Sequence, residues 1–293
     1  MAQKGKGKKR VKGRDYFSLL LMLGIVVLLG VISFFLFKSA FEKEAPPKPP
    51  EKVAKKPPER ALPPPPPPAV PEHKASLAIV IDDMGGSLDI ARTLSAIDPN
   101  ITFAVMPHEA KSAAVVREMS DKGHDVILHL PMEPQDLAHN NPGKGALLVA
   151  MDAAAIRKTI EEDLKKVPGI KGVNNHMGSR FTEERADMKV VLEELKKQGL
   201  FFLDSRTTGK SVVKDVAKEV GIRSAVRDVF LDNTVDEAHS RQQLQKAADL
   251  ALKKGQAIII GHPHPSSIKV LQDMVPQLRE KGIRIIGVSQ LAG

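Results

Sequence analysis

From residue 77 onward, short apolar runs alternate with longer stretches of helical spacing. The runs are 77–81 (LAIVI), 101–106 (ITFAVM), 126–130 (VILHL), 172–174, 200–203 (LFFL), 229–231, 257–260 (AIII) and 283–288 (IRIIGV). Between most of them, segments such as 110–122, 153–166, 183–197, 236–254 and 267–281 carry charge on one face and apolar residues on the other. Near-continuous apolar strands alternating with amphipathic helices predict a mainly parallel sheet with helical cover. Seven or eight such units predict an α/β fold of the closed or nearly closed β/α-barrel kind. A doubly wound open sheet is the alternative.

The pattern before residue 77 is different in kind. Residues 16–37 (YFSLLLMLGIVVLLGVISFFLF) carry no charge. At about 1.5 Å per residue, such a run is long enough to cross a hydrocarbon core of about 30 Å. The preceding residues, 1–15, hold seven Lys/Arg and one Asp. That bias predicts a transmembrane anchor with its basic tail in the cytoplasm and the rest of the chain exported, to the periplasmic or cell-surface side. A cleaved signal peptide would have a shorter apolar region ending in small residues, and Phe37-Lys38-Ser39-Ala40 is a poor site of that kind. Residues 45–71 hold 13 of the chain's 22 prolines, six of them consecutive from Pro63 to Pro68. Proline fixes φ and removes a donor, so the linker 38–71 is expected to be an extended spacer reaching up to ~80 Å. The expected organisation is therefore tail 1–15, anchor 16–37, linker 38–71 and folded domain 72–293.

Composition then removes one class of function. The chain's formal charge of +9 suggests a nucleic-acid partner, but residues 72–293 hold 30 Lys/Arg against 30 Asp/Glu. The basicity belongs to the tail and the linker, so no nucleic-acid partner is expected. The neutral domain, without an arginine cluster, also argues against a polyanionic substrate. The absence of cysteine excludes a thiol nucleophile, a disulfide and a thiolate-bound metal. No glycine-rich nucleotide loop follows the first run: Gly85-Gly86 has neither known phosphate-loop spacing.

Polar residues cluster where the runs end. LAIVI leads into Asp82-Asp83-Met84-Gly85-Gly86, VIL into His129 and then Pro131-Met132-Glu133, GVNN into His176, LFFL into Asp204-Ser205-Arg206, and AIIIG into His262-Pro263-His264. In a β/α barrel the C-terminal ends of the strands meet on one face, where such folds build their sites. Any one of these residues alone is commonly a helix cap or a packed surface side chain. Five coincident strand ends point to a site. His73, His108, His124, His139 and His239 lack such a companion motif and are set aside. Two imidazoles and a carboxylate with open positions suit a first-row divalent ion such as zinc. Of the adjacent pair Asp82-Asp83, one fits a ligand and the other a base.

The ordered motifs IDDMGG, HLPMEP, NNHMGS, LDSRT and GHPHP resemble those of the divergent polysaccharide deacetylase family, across nearly all of residues 76–293. The resemblance implies a distorted β/α barrel and metal-dependent removal of acetyl groups from a polysaccharide or amino-sugar glycan of the cell envelope. It implies Asp83 and His129 as metal ligands, Asp82 as general base and His262 as general acid. Asp204 and Arg206 would hold or tune that base and acid. Main-family deacetylases place a second metal histidine four residues after the first, and here that residue is Glu133. His176 is the candidate replacement. Glu133, Asn175 and His264 stand beside it as further ligand or substrate contacts. The departure keeps a second expectation open, that of a catalytically weak or inactive glycan-binding scaffold on the same fold.

Overall fold

The computed structural model describes residues 14–41 and 73–293. The expected cytoplasmic tail up to residue 13 and nearly all of the expected linker lie outside the described residues. The chain divides into two units, one with the first helix and one with residues 73–293. Helix α1 (Arg14–Phe41) runs 28 residues, and its described apolar side chains, among them Val26, Leu28 and Leu36, are exposed. The described side chains of α1 are not continuous. Among the described residues no helix is long and apolar enough to cross a membrane, so the fold does not establish the expected anchor.

Residues 73–293 alternate strand and helix from the first strand onward. The strands are β1 (Ala75–Met84), β2 (Thr102–Val105), β3 (Val126–Met132), β4 (Gly172–Met177), β5 (Phe201–Asp204), β6 (Ser224–Val226), β7 (Val229–Phe230), β8 (Gln256–Gly261) and β9 (Ile283–Ile285). The helices are α2 (Leu88–Ser95), α3 (Ser112–Asp121), α4 (Ala153–Lys166), α5 (Arg185–Lys197), α6 (Val213–Val220), α7 (Glu237–Lys254) and α8 (Pro265–Glu280). Their boundaries follow local chemistry. Ser87, Asp152 and Asp236 cap α2, α4 and α7 by accepting backbone N–H groups of Ile90, Ala155 and His239. Gly255 ends α7 at φ 86°, a conformation glycine adopts without steric cost.

All recorded strand pairs are parallel. The sheet order is β6-β5-β4-β3-β2-β1-β8-β7, and β9 pairs with the start of β1. The outermost strands of this order, β6 and β7, are separated in sequence only by Arg227 and Asp228. Three Cα steps reach at most ~11 Å, so the two ends of the sheet lie close together. The sheet is therefore curled into an incomplete barrel whose seam between β6 and β7 is bridged by chain rather than by a ladder. This excludes the open doubly wound sheet.

Strand alternation sorts the apolar residues into two cores. Leu77, Ile79 and Ile81 of β1, with Leu128 and Leu130 of β3 and Ala257 and Ile259 of β8, pack outward among the helices. Ala78, Val80, Ile127, Phe201, Leu203, Ile258 and Ile260 form the separate inner core. The C-terminal segment closes the lower end, where Val288 and Ala292 join that inner core. Val288 N–H donates to Thr102 Oγ1 at 3.1 Å, Ser289 N–H to Asp125 Oδ2 at 2.8 Å, and Ser224 N–H to Gly293 O at 3.0 Å. Gly172 leaves space for the Phe201 ring, whose nearest atom would lie 2.5 Å from a Cβ there.

Candidate metal centre

The inward positions change character at the upper end of the barrel. Val80 is followed two residues later by Asp82, Ile127 by His129, Leu203 by Ser205, Phe230 by Asp232 and Ile260 by His262. Gly172 is followed by Asn174 and then His176 at the same parity. Successive side chains of a strand point to opposite faces, so one rule carries the inner apolar layers upward into a polar one.

Asp83 reaches the same site by breaking that rule. The register of β1 with β2 shifts between Ile81 and Met84, a bulge that lets both adjacent aspartates face the centre. Asp83 takes φ 55°, and Met177 (55°) and Arg206 (51°) share this left-handed conformation. They are the only non-glycine residues with positive φ among those described, and all three sit at or just beyond strand ends at the upper end of the barrel. Such backbone costs on the order of 1–3 kcal/mol each and clusters where function requires it.

Three donor atoms converge. His129 Nε2 lies 3.2 Å from Asp83 Oδ1, His176 Nδ1 lies 3.0 Å from the same oxygen, and the two ring nitrogens are 3.1 Å apart. A tetrahedral ion with bonds of about 2.0–2.1 Å needs ligand atoms about 3.3–3.4 Å apart, so the triangle fits. The protons agree. Asn174 Nδ2 donates to Asp82 Oδ1 at 2.8 Å and to Ser205 Oγ at 3.1 Å. Its Oδ1, 2.8 Å from His129 Nδ1, is thus left to accept that N–H, and His129 Nε2 keeps a lone pair for the centre. A proton on either ring nitrogen can bond to Asp83 Oδ1, and a divalent ion held by the three atoms would take its place.

Electrostatics separates the two aspartates. Burial raises the pKa of Asp82, against the pull of His129 and His262. Burial acts the same way on Asp83, but hydrogen bonds with His129 and His176 hold its carboxyl well below the usual carboxylate range. At the end of β8, which pairs with β1, His262 Nδ1–H donates to Asp232 Oδ1 at 2.9 Å and its backbone N–H to Asp232 Oδ2 at 2.7 Å. Ser267 Oγ–H donates to the same Oδ2 at 2.6 Å. Burial disfavours the charged form of His262, yet Asp232 and Asp82 push its pKa up to about 9. The free Nε2 then points inward, 4.0 Å from Asp83 Oδ2. The Phe230 ring stacks on His262 at 6.5 Å, and the Arg227 guanidinium covers it 3.5 Å from its centroid. A cavity of about 310 Å³ lies among Asp82, Asp83, His129, His176, Phe230 and His262.

Several expected residues sit elsewhere. Glu133 Oε2 accepts Val149 N–H at 2.7 Å and secures the loop after β3, so its carboxylate is used there, and the second histidine of the triangle is His176. Asp204 accepts Arg206 N–H at 2.7 Å and Ser211 Oγ–H at 2.7 Å, and the side chain of Arg206 is exposed. The group holding His262 is Asp232 and the group holding Asp82 is Asn174, not the expected Asp204 and Arg206. Asp204 and Arg206 have the opposite strand parity and point away from the inner face. Asn175 shares that parity but does line the cavity of the centre: its Oδ1 accepts Ser205 N–H at 2.9 Å and its Nδ2 donates to Met177 O at 2.8 Å, bracing β4 against β5. His264 precedes α8, with its ring 5.7 Å from that of His262. Asn174, Ser205, Asp232 and Arg227 were not singled out from sequence, although parity marks the first three.

A family model described as divergent polysaccharide deacetylase matches residues 79–292. The chain is 37% identical over 208 residues to the uncharacterized protein YibQ of Escherichia coli K12, covering 71% of this chain and 65% of that protein. It thus spans slightly less than two thirds of that relative's length. It is also 37% identical over 218 residues to an uncharacterized protein of Haemophilus influenzae, covering 74% and 77% of the two. Among solved structures, the uncharacterized protein ATU2773 of Agrobacterium tumefaciens superposes with a TM-score of 0.71 at 27% identity, over 74% of this chain and 89% of that one.

Proposed function

Because the chain belongs to the divergent polysaccharide deacetylase family, we propose that its centre hydrolyses acetyl groups of an envelope polysaccharide, with a divalent ion such as zinc held by Asp83, His129 and His176. The observation that carries this reading is the triangle of donor atoms 3.0–3.2 Å apart, flanked by a buried carboxylate and a protonated imidazole. A divalent ion there supplies Lewis acidity toward the acetyl carbonyl and acidifies a bound water.

The chain's own residues divide the proton work. Asp82, its oxygen fixed by Asn174 and its basicity raised by burial, takes a proton from the attacking water. The water oxygen bonds to the acetyl carbon. The bond from that carbon to the glycan nitrogen or oxygen then breaks, and His262 Nε2 gives its proton to the departing atom. Asp232 holds the imidazole in the orientation that presents Nε2 and stabilises its charged form. The cavity of about 310 Å³ suits one sugar unit, with the Phe230 ring as its apolar wall.

The test is acetate release from N- and O-acetylated glycan oligomers by the zinc-loaded full chain. Asp82→Asn is expected to abolish release while bound metal is retained. Turnover surviving in that variant, or no release from any acetylated oligomer, overturns the reading. We also propose that residues 16–37 tether the chain in a membrane with the domain outside the cytoplasm. This rests on the uncharged run and the basic residues before it. Recovery of the full chain in the soluble fraction after cell lysis would refute it.

A further inference from the structure

A second, larger cavity of about 840 Å³ adjoins the centre. Its origin is topological. Every other inter-strand connection from β1 to β9 passes through a helix, but β6 and β7 are joined by two residues, so the seam has no helix laid across it. The groove lies along β6, with α6 on one side. The chain leaving β5 is a wall common to both cavities: Asp204, Arg206 and Thr208 line the groove, while Ser205 and Thr207 line the catalytic cavity.

The charges on this groove are unbalanced by their pairing rather than by their number. Arg206, Lys214, Lys218 and Arg227 line it with Asp204, Asp215 and Asp228. Two of the three acids are already used. Asp204 accepts from Arg206 N–H and Ser211 Oγ–H, and Asp228 accepts from Ile258 N–H and Lys254. Glu219, the other acid of α6, is taken by Arg185 and Lys189. Among the described residues none of the four cations lies within ion-pair distance of a carboxylate, and Asp204, Asp82 and Asp228 act on Arg227 only at longer range. Lys214 and Lys218 lie one helical turn apart, a like-charge spacing that disfavours a helix. Arg227 is fixed by Nε–H donation to Ser205 O at 2.6 Å and by a bond to Arg206 O at 2.8 Å. The domain's zero net charge, which argued against a polyanionic ligand, is an average that conceals this local excess.

We propose that the groove is a subsite for an oxyanion substituent, a carboxylate or phosphate, on the glycan whose acetyl group occupies the neighbouring cavity. This rests on the deacetylase reading for the glycan and on the groove alone for the anion. Cationic side chains without a close carboxylate, such as Lys214 and Lys218, bind such oxyanions through charge-assisted hydrogen bonds, and the shared wall sets the anionic sugar beside the reacting one.

The test uses the zinc-loaded Asp82→Asn full chain, so that binding is read without turnover. Its affinities for a neutral acetylated amino-sugar oligomer, a carboxylated one and a phosphorylated one are compared by calorimetry at low and high salt. The expected result is at least tenfold tighter binding of one or both anionic oligomers, with the preference lost at high salt. The double variant Lys214→Glu/Lys218→Glu, at two exposed helix positions, is expected to lose about tenfold on the anionic oligomer and nothing on the neutral one. Which anion gains affinity identifies the substituent. Equal binding of all three oligomers overturns the subsite, even if acetate release by the unaltered chain stands. Anion preference without any acetate release would instead keep the subsite and remove the deacetylase reading.

Discussion

The two ends of the barrel interior are built from the same strands and do opposite things. At the lower end, Phe201, Ile127 and Ile258 fill the space and the C-terminal segment covers it with Val288 and Ala292. Polar groups there are few and are spent on holding the backbone, as Thr102 holds Val288. At the upper end, two or four residues further along the strands, Asp82, His129, Asn174, Ser205 and His262 face the same axis, and all but His262 are buried. That end also holds all the left-handed non-glycine residues described. Stability therefore lives at the bottom and chemistry at the top. The bulge at Asp82-Asp83 is the step where β1 departs from regular packing.

This division is open to direct attack. The largest expected effect is at the top: His176→Ala removes one of three converging ligands and should weaken zinc binding by more than about 100-fold, read by competition with a metal indicator. Folding without metal should change little. Retained zinc affinity would break the ligand assignment. Next, at the bottom, Phe201→Ala should cost about 3–5 kcal/mol of stability in urea unfolding and leave zinc affinity untouched. A loss of metal in that variant would show that the two ends are not separable. Asn174→Ala tests the connection between ligand and base. It frees the His129 tautomer and leaves Asp82 without its amide donor, so zinc affinity should fall about 10–100-fold. The same variant with unchanged zinc affinity would make Asn174 mere packing.

The parity behind this division also explains what the sequence disclosed. The long elements were legible: α4 spans the very residues, 153–166, that helical spacing predicts, and β1, β3 and β8 surround their apolar runs. Strand β6 was missed because three residues, Ser224–Val226, carry too little pattern. Helix α6 was missed because eight residues with three valines read equally well as strand. The motif histidines and the Asp82-Asp83 pair were legible because whole motifs end strands. Their supporting residues were not, since a motif names neighbours without saying which face each takes. Counting in twos from Leu203 selects Ser205 over Asp204 and Arg206, and counting from Gly172 selects Asn174 over Asn175. Asp232 follows Phe230 by the same count, yet β7 has only two residues to establish the phase. Asp83 was legible through its motif alone, since counting in twos would place it on the outer face and the bulge in β1 reverses that count.

The smallest expected effect concerns a buried carboxylate outside the barrel. Asp82 at the top has an amide donor and a proposed task. Asp163, on α4, is equally buried, and burial, helped by the nearby Glu162, raises its pKa to about 7. His108 Nε2 lies 2.8 Å from its Oδ1, but its Oδ2 has no hydrogen-bond partner among the described residues. An aspartate near 3.9 when unfolded and near 7 when folded binds its proton more tightly in the native state. Its contribution to stability is therefore fully present below about pH 4, declines as pH rises, and is lost above pH 7. Asp163→Asn removes that titration and can still accept from His108. Allowing for solvent screening at a carboxyl that is not fully desolvated, the effect is on the order of 1–2 kcal/mol. The variant should match the unaltered chain near pH 4 and melt roughly 3–6 °C higher at pH 8. A lower melting temperature at pH 8 would mean that the ionised His108–Asp163 pair stabilises the fold. Burial of charge would then be productive on the flank as well as at the top, and the contrast between the ends of the barrel would no longer be one between function and packing alone.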